Sequence, residues 1–275
     1  MFMNSSKLFV GIDVAFAKNK KLPICVVRKK GEKLFPVALE MEGLPPIPRG
    51  SGNVASLQPA LVSKFARDVG NYICAVETLL EAVVEVIAID APADYSLTGR
   101  REGERALNAS GIRCFATPTA AGFKNIREKV KSHLEEGGAE NRLPHGHQLW
   151  MLAGFALFRK LQVRYRCLEV FPQAIVHRLG VADVHKFKKE GLAAQLGAVA
   201  MATGWTPGEL SDRLKKCVPG AGHDRLDAYM CAWVASEYPN LDVYGKAPDD
   251  AIWVPKVIKE NSLTLSSCHV RCTAV

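Results

Sequence analysis

Two apolar runs in this chain stop at an aspartate. Leu8-Phe9-Val10-Gly11-Ile12 ends at Asp13, and Val86-Ile87-Ala88-Ile89 ends at Asp90, ahead of Ala91-Pro92. Short continuous apolar runs of this kind predict buried strands. A carboxylate at the end of a buried strand is unfavourable unless something positive satisfies it. Two further acids, Asp224 and Asp227, open the run Ala228-Tyr229-Met230-Cys231-Ala232-Trp233-Val234-Ala235, which predicts a helix over Asp224–Glu237. Three apart on a helix, they share a face, and like charges there repel unless a cation lies between them. A helix packed across the strand ends of Asp13 and Asp90 would place four carboxylates around one pocket. Such an oxygen-rich pocket suits a hard cation, Mg²⁺ or Mn²⁺, and has room for two. One ion would activate water and the other would stabilise a leaving 3′-oxygen.

Each acid also has a plain structural reading. Asp224 follows Pro219-Gly220-Ala221-Gly222-His223 and has an equal claim to be a helix N-cap, with Asp227 in the favourable first turn. Asp90 can accept turn hydrogen bonds. Asp13 is hardest to explain this way, because it interrupts a buried strand pattern. His223, beside the acids, has the chemistry of a proton shuttle but needs no function in a loop. His145 and His147 flank Gly146 before a helix, where capping or solvent exposure accounts for them.

The order of elements defines the fold class. Strands are expected at 8–14, 22–28, 33–39, 84–89 and 165–170, with a short final one near 252–254. Turn-like Lys29-Lys30-Gly31-Glu32 joins the second and third. Helices are expected over Leu57–Val69, Arg100–Ala109, Ala121–Glu136, Gln148–Leu161, Leu192–Ala202 and Asp224–Glu237. One more starts at Thr206, with Pro207 at its first position and Glu209 closing a capping box. Three close strands, then strands separated by helices, predict an α/β protein with a mixed sheet of five strands. Residues 1–258 read as one domain, with a helical insertion at about 100–161. The tail 259–275 has no periodic pattern and reads as disordered.

Composition narrows the class. The 275 residues are 48% hydrophobic and 23% charged, with no apolar run near the roughly 20 residues of a membrane span. The apolar stretch after Lys7 is too short for a secretion signal, which points to the cytoplasm. None of the eight cysteines forms a CxxC pair, and those in apolar runs read as small reduced hydrophobes. Cys268 and Cys272, with His269 between, lack further ligands nearby. The net charge of +8 gathers in clusters, among them Arg159-Lys160 with Arg164 and Arg166, Lys186 with Lys188 and Lys189, and Lys215-Lys216. A basic rim around an acidic centre suits a phosphodiester-handling protein, with Lys186 a candidate phosphate contact.

Four motifs in order carry a resemblance: Gly11-Ile12-Asp13; Ile87-Ala88-Ile89-Asp90-Ala91-Pro92; Glu169-Val170-Phe171-Pro172; and Asp224-x-x-Asp227-Ala228. Together they are similar to domain-of-unknown-function family 429, whose members are predicted nucleases of ribonuclease H fold. Asp224-Arg225-Leu226-Asp227-Ala228 also resembles the late-helix DxxDA motif of Holliday-junction resolvases. The resemblance spans most of residues 7–236. It implies a ribonuclease H-like fold and metal-dependent hydrolysis of nucleic acid, with Asp13, Asp90, Asp224 and Asp227 as catalytic metal ligands. Glu169 would be a fifth acid. Arg100, Arg101 and Arg105 match the family's basic stretch, where they would contact phosphate or pair with Glu102 and Glu104 on a solvated helix. A resolvase would act as a dimer, though no interface can be read from the residues. Two other readings compete. An ATP-using protein of the actin and sugar-kinase group requires glycine-rich phosphate loops, which neither Asp13-Val14-Ala15-Phe16 nor Asp90-Ala91-Pro92-Ala93 supplies. A non-catalytic nucleic-acid-binding module would not need all four acids.

Overall fold

A computed structural model describes residues 6–182, 186–246 and 250–256. The chain begins with an antiparallel meander of β1 (Ser6–Asp13), β2 (Ile24–Lys30) and β3 (Lys33–Pro36). Lys30 pairs with Lys33 across the β2–β3 turn, where Gly31 takes a positive φ of 59° that suits a residue without Cβ. Helix α1 (Pro59–Leu79) leads to β4 (Ala82–Asp90). Next come α2 (Glu102–Ala109), α3 (Ala120–Glu135), α4 (Gly146–Leu149) and α5 (Met151–Leu161), then β5 (Arg166–Val170). Four helices follow, α6 (Pro172–Arg178), α7 (Lys189–Ala202), α8 (Pro207–Cys217) and α9 (Gly222–Glu237), and the hairpin of β6 (Leu241–Lys246) and β7 (Asp250–Pro255) ends the described chain.

All seven strands form one mixed sheet in the order β3-β2-β1-β4-β5-β7-β6. The parallel pairs are β1–β4, β4–β5 and β5–β7, and the hairpins at both edges are antiparallel. The expected α/β class with a mixed sheet is therefore present, but the expected five strands are too few. The hairpin β6–β7 accounts for the difference. Leu241-Asp242-Val243-Tyr244-Gly245-Lys246 is an edge strand with one buried side chain, so it carries none of the continuous apolar signal that marks β1 and β4. The expected helix Gln148–Leu161 is also two pieces, α4 and α5, separated at Trp150. The tail from residue 259, with Cys268, His269 and Cys272, lies outside the described residues.

Strand alternation divides the core between the two faces of the sheet. Leu8, Val10 and Ile12 of β1 pack with Ile24, Val26, Ile87 and Ile89 against α1 and α5. Phe9, Cys25, Val27, Val86 and Ala88 point the other way, to α9 and its neighbours α6, α7 and α8. Helix α9 is buried on nearly every side from Leu226 to Ser236, which explains its unbroken apolar run. A smaller cluster joins Phe123, Ile126 and Val130 of α3 to Leu149, Leu152 and Phe155. Among the described residues, no helix is long and apolar enough to cross a membrane.

Candidate active site

The contact between β1 and α9 explains how acids far apart in sequence come together. A Cβ placed on Gly11 would lie 2.0 Å from the Ala228 carbonyl oxygen and 2.2 Å from the Ala232 nitrogen. Only glycine lets the helix backbone lie this close to the strand. Asp13 is two residues beyond Gly11 on β1, and Asp227 immediately precedes Ala228 on α9. In the parallel β1–β4 pairing, Asp13 is the direct partner of Asp90. Asp13, Asp90 and Asp227 thereby share one end of the sheet, with Asp224 a turn earlier on the same helix.

These acids have unequal surroundings. Asp224 is buried, and its Oδ2 accepts a hydrogen bond from the Ala221 N–H at 3.0 Å, half of a capping box at the start of α9. The Lys20 ammonium lies 3.0 Å from the same carboxylate, and His223 Nε2 is 3.4 Å from Oδ1. Burial pushes this carboxyl up, but the Ala221 amide, Lys20 and His223 together hold it below the ordinary carboxylate range. Asp227 is ion-paired with Lys186. Burial nevertheless leaves its carboxyl raised. Asp13 and Asp90 receive no side-chain hydrogen bond and no ion pair among the described residues. Burial, followed by repulsion from Asp227, Asp90 and Asp224, drives Asp13 well above the usual range. Burial and Asp227 push Asp90 up to about 8. Lys186 answers this field: burial favours its neutral form, but Asp227, Asp90 and Asp13 push it up to about 12.

Glu169 sits at the same end of the sheet, one strand over, and is already committed. Its neighbour in the β4–β5 register is Ile89, beside Asp90. Arg101 grips it with both terminal nitrogens, Nη1 at 2.7 Å, and the Ala93 N–H donates to it at 2.9 Å. Arg101 also donates through Nε to Glu104 at 3.2 Å. Glu104 in turn accepts from the Thr117 amide and hydroxyl. Arg101 therefore points into the protein rather than to solvent. Burial opposes its charge, but Glu169 and Glu104 raise its pKa still further. Its neighbours differ. Arg105 is exposed and donates to the Arg100 carbonyl at 2.5 Å, and Arg100 is half-buried.

A cleft of about 650 Å³ opens from Asp90. Lys186 and Phe187 line it from one side, Arg113 and Phe115 from another, with Gln173 and His177 of α6 along it. The sequence singled out Lys186 but missed Lys20, Arg113, Phe115 and His177. Lys20 stood in a visible basic cluster, yet nothing local marks a lysine that pairs with an acid 204 residues away.

The donor set fits a hard divalent cation: four carboxylates, two of them without a protein partner, in mutual repulsion. As arranged, however, no three His, Cys, Asp or Glu side chains among the described residues stand close enough to hold one ion. Two ammonium groups, Lys186 and Lys20, supply the positive charge at Asp227 and Asp224 instead.

A family model described as "Protein of unknown function (DUF429)" matches residues 11–251, from Gly11 to the start of β7. No curated protein and no solved structure matches the chain. With most of its length covered by that one match, the chain belongs to the DUF429 family of proteins of unknown function.

Proposed function

We propose that this protein is a metal-dependent nuclease of ribonuclease H-like fold, hydrolysing phosphodiester bonds in nucleic acid with Mg²⁺ or Mn²⁺. The observation that carries the reading is the pair Asp13 and Asp90, side by side at two parallel strand ends and without protein counter-ions. Buried carboxylates left in mutual repulsion are kept for a purpose other than stability. The order of the three early strands, the parallel strands after them and the late helix that brings Asp227 supports the same reading.

Asp13, Asp90 and Asp227 would hold the cation by drawing closer around it than they stand here, with Asp224 supporting from the first turn of α9. When bound, such an ion supplies an acidified water and neutralises charge on the phosphate. The remaining work falls to the chain itself. Lys186 reaches from the cleft wall to the acids and would hold a phosphate oxygen against them. Arg101 and Glu169 neutralise each other and fix the loop after Asp90 through the Ala93 amide. Exposed Arg105 donates to the Arg100 carbonyl through Nη1 and would meet the phosphate backbone with its other nitrogens. His223, against Asp224, is placed to pass a proton to solvent.

The test is cleavage of a labelled panel of single strand, duplex, hybrid, RNA and four-way junction, with Mg²⁺, Mn²⁺ or EDTA. Cutting is expected only with metal, and Asp13→Asn and Asp227→Asn should each lower it at least about a hundredfold while the fold is retained. Undiminished cutting by both variants would remove the assignment.

A further inference from the structure

The cleft that opens from Asp90 carries more than charge. Phe115 is 60% exposed and Phe187 is 72% exposed, and both line it. Large aromatic side chains are seldom left this open beside a polar site. Phe115 lies against the His147 ring, with centroids 4.7 Å apart, and its remaining surface faces outward. Phe187 meets the His223 ring edge to face at 5.0 Å, next to Asp224. Leu97, 97% exposed, lies in the loop after Asp90, whose Ser96 amide bonds the Pro118 carbonyl of the segment carrying Phe115. Cations stand beside these rings. Arg113 is two residues before Phe115 and Lys186 is next to Phe187, and His177 of α6 lines the same cleft. Among the described residues, Asp90 is the one acid lining the cleft.

A paired duplex presents phosphates and base edges, and has no use for an exposed ring face. An unpaired strand presents base faces, which stack on aromatic side chains, while its phosphates follow the cations. From this we infer that the cleft binds single-stranded nucleic acid, with a base stacked on Phe115 and the backbone along Arg113 and Lys186. The scissile phosphate is then delivered to Asp90. The inference rests on the nuclease reading only for the fate of that phosphate; the binding mode stands on the cleft itself.

Binding is measured by fluorescence anisotropy in EDTA, so that no strand is cut. The probes are a short fluorescein-labelled oligonucleotide, the same strand paired with its complement, and the same strand with its bases removed. The intact single strand should bind about tenfold tighter than the duplex. Phe115→Ala should weaken it at least about fivefold, and Phe115→Trp should restore it, since stacking depends on the ring. The base-free strand should bind the wild type no better than the intact strand binds Phe115→Ala. Because Phe115 is exposed, an unchanged melting temperature will show that the variant is folded. Met201→Ala, an exposed site on α7 outside the cleft, should leave binding unchanged.

Equal or tighter binding of the duplex, or an intact-strand affinity indifferent to Phe115→Ala, overturns the inference. Cleavage with Mn²⁺ separates it from the nuclease reading. Single-strand binding without any cutting keeps the cleft assignment and removes the nuclease. Efficient duplex cutting that ignores Phe115→Ala does the reverse.

Discussion

Two acidic groups share one end of the sheet and are treated in opposite ways. Glu169 and Glu104 close around Arg101, with the Ala93 and Thr117 amides completing their hydrogen bonds. Asp90 on the next strand and Asp13 on the strand beyond are left to repel each other, with Lys186 easing both. The first group is a finished buried ion cluster, and its removal should damage the fold. The second is a stored electrostatic conflict, and its removal should relieve the fold while damaging function. Acidic residues at a sheet edge are therefore not equivalent; what distinguishes them is whether the protein itself supplies their partners.

The sharpest break of that comparison is Arg101→Ala against Asp13→Asn. Leaving Glu169 and Glu104 buried without their cation should cost about 3–5 kcal/mol. For a domain of this size that lowers Tm by roughly 6–20 °C. Asp13→Asn should leave Tm unchanged or raised. Thermal denaturation followed by circular dichroism decides it, and a larger loss from Asp13→Asn would reverse the assignment of the two groups.

Gly11→Ala comes next, because it attacks the contact that gathers the second group. With the Ala228 carbonyl 2.0 Å from the new methyl, α9 must shift. Overpacking of this kind costs about 1–3 kcal/mol, and hydrolysis should fall further than stability as Asp227 moves away from Asp13. Chemical denaturation beside a rate measurement on the folded variant checks both halves.

A smaller effect is expected from Asp90→Asn, and its sign depends on pH. The folded carboxyl is raised to about 8, above the usual unfolded value of about 4. The native state therefore binds more protons than the unfolded state between those values. Stability should fall as pH rises through that window. The amide variant lacks Asp90's share of this slope, while Asp13 and Asp227 keep theirs, and it should be the more stable protein at pH 8, by about 1 kcal/mol or more. Melting curves from pH 5 to pH 9 without divalent metal test it; parallel curves for the two proteins would show that Asp90 is not raised. The smallest effect belongs to Lys64→Ala. It removes an exposed partner of Asp68 on α1 and should change stability by no more than about 0.5 kcal/mol.

What could be read in advance was what is local. The strand ends at Asp13 and Asp90 follow from apolar runs. The capping box at Thr206 follows from three residues, and the Glu209 amide does donate to the Thr206 hydroxyl at 3.4 Å. The α/β class and the mixed sheet follow from element order. What escaped was set by contacts between distant segments. Strand β6 has an edge strand's composition, so its place in the sheet depends on β7 rather than on its own pattern. Arg101 looked like a solvated helix residue because its partners, Glu169 and Asp250, come much later in the chain. Lys20 looked like surface charge for the same reason, and Lys186, expected to contact phosphate, gave no sign of its pairing with Asp227. Asp224 is not the N-cap that its sequence context suggests: Ala221 is, and Asp224, the third helical residue, accepts from the Ala221 amide while also standing among the acids; Asp227 lies beyond the first turn.

The seat of α9 against Gly11 has a consequence for the order in which the molecule comes into being. The groove that receives the helix is synthesised well before the helix; the Lys20–Asp224 contact alone spans 204 residues. While the chain emerges, β1 and β4 can pair and carry two aspartates at their tips, but nothing yet faces them. The centre assembles only when α9 docks, so until then the emerging polypeptide carries two of its acids without the site.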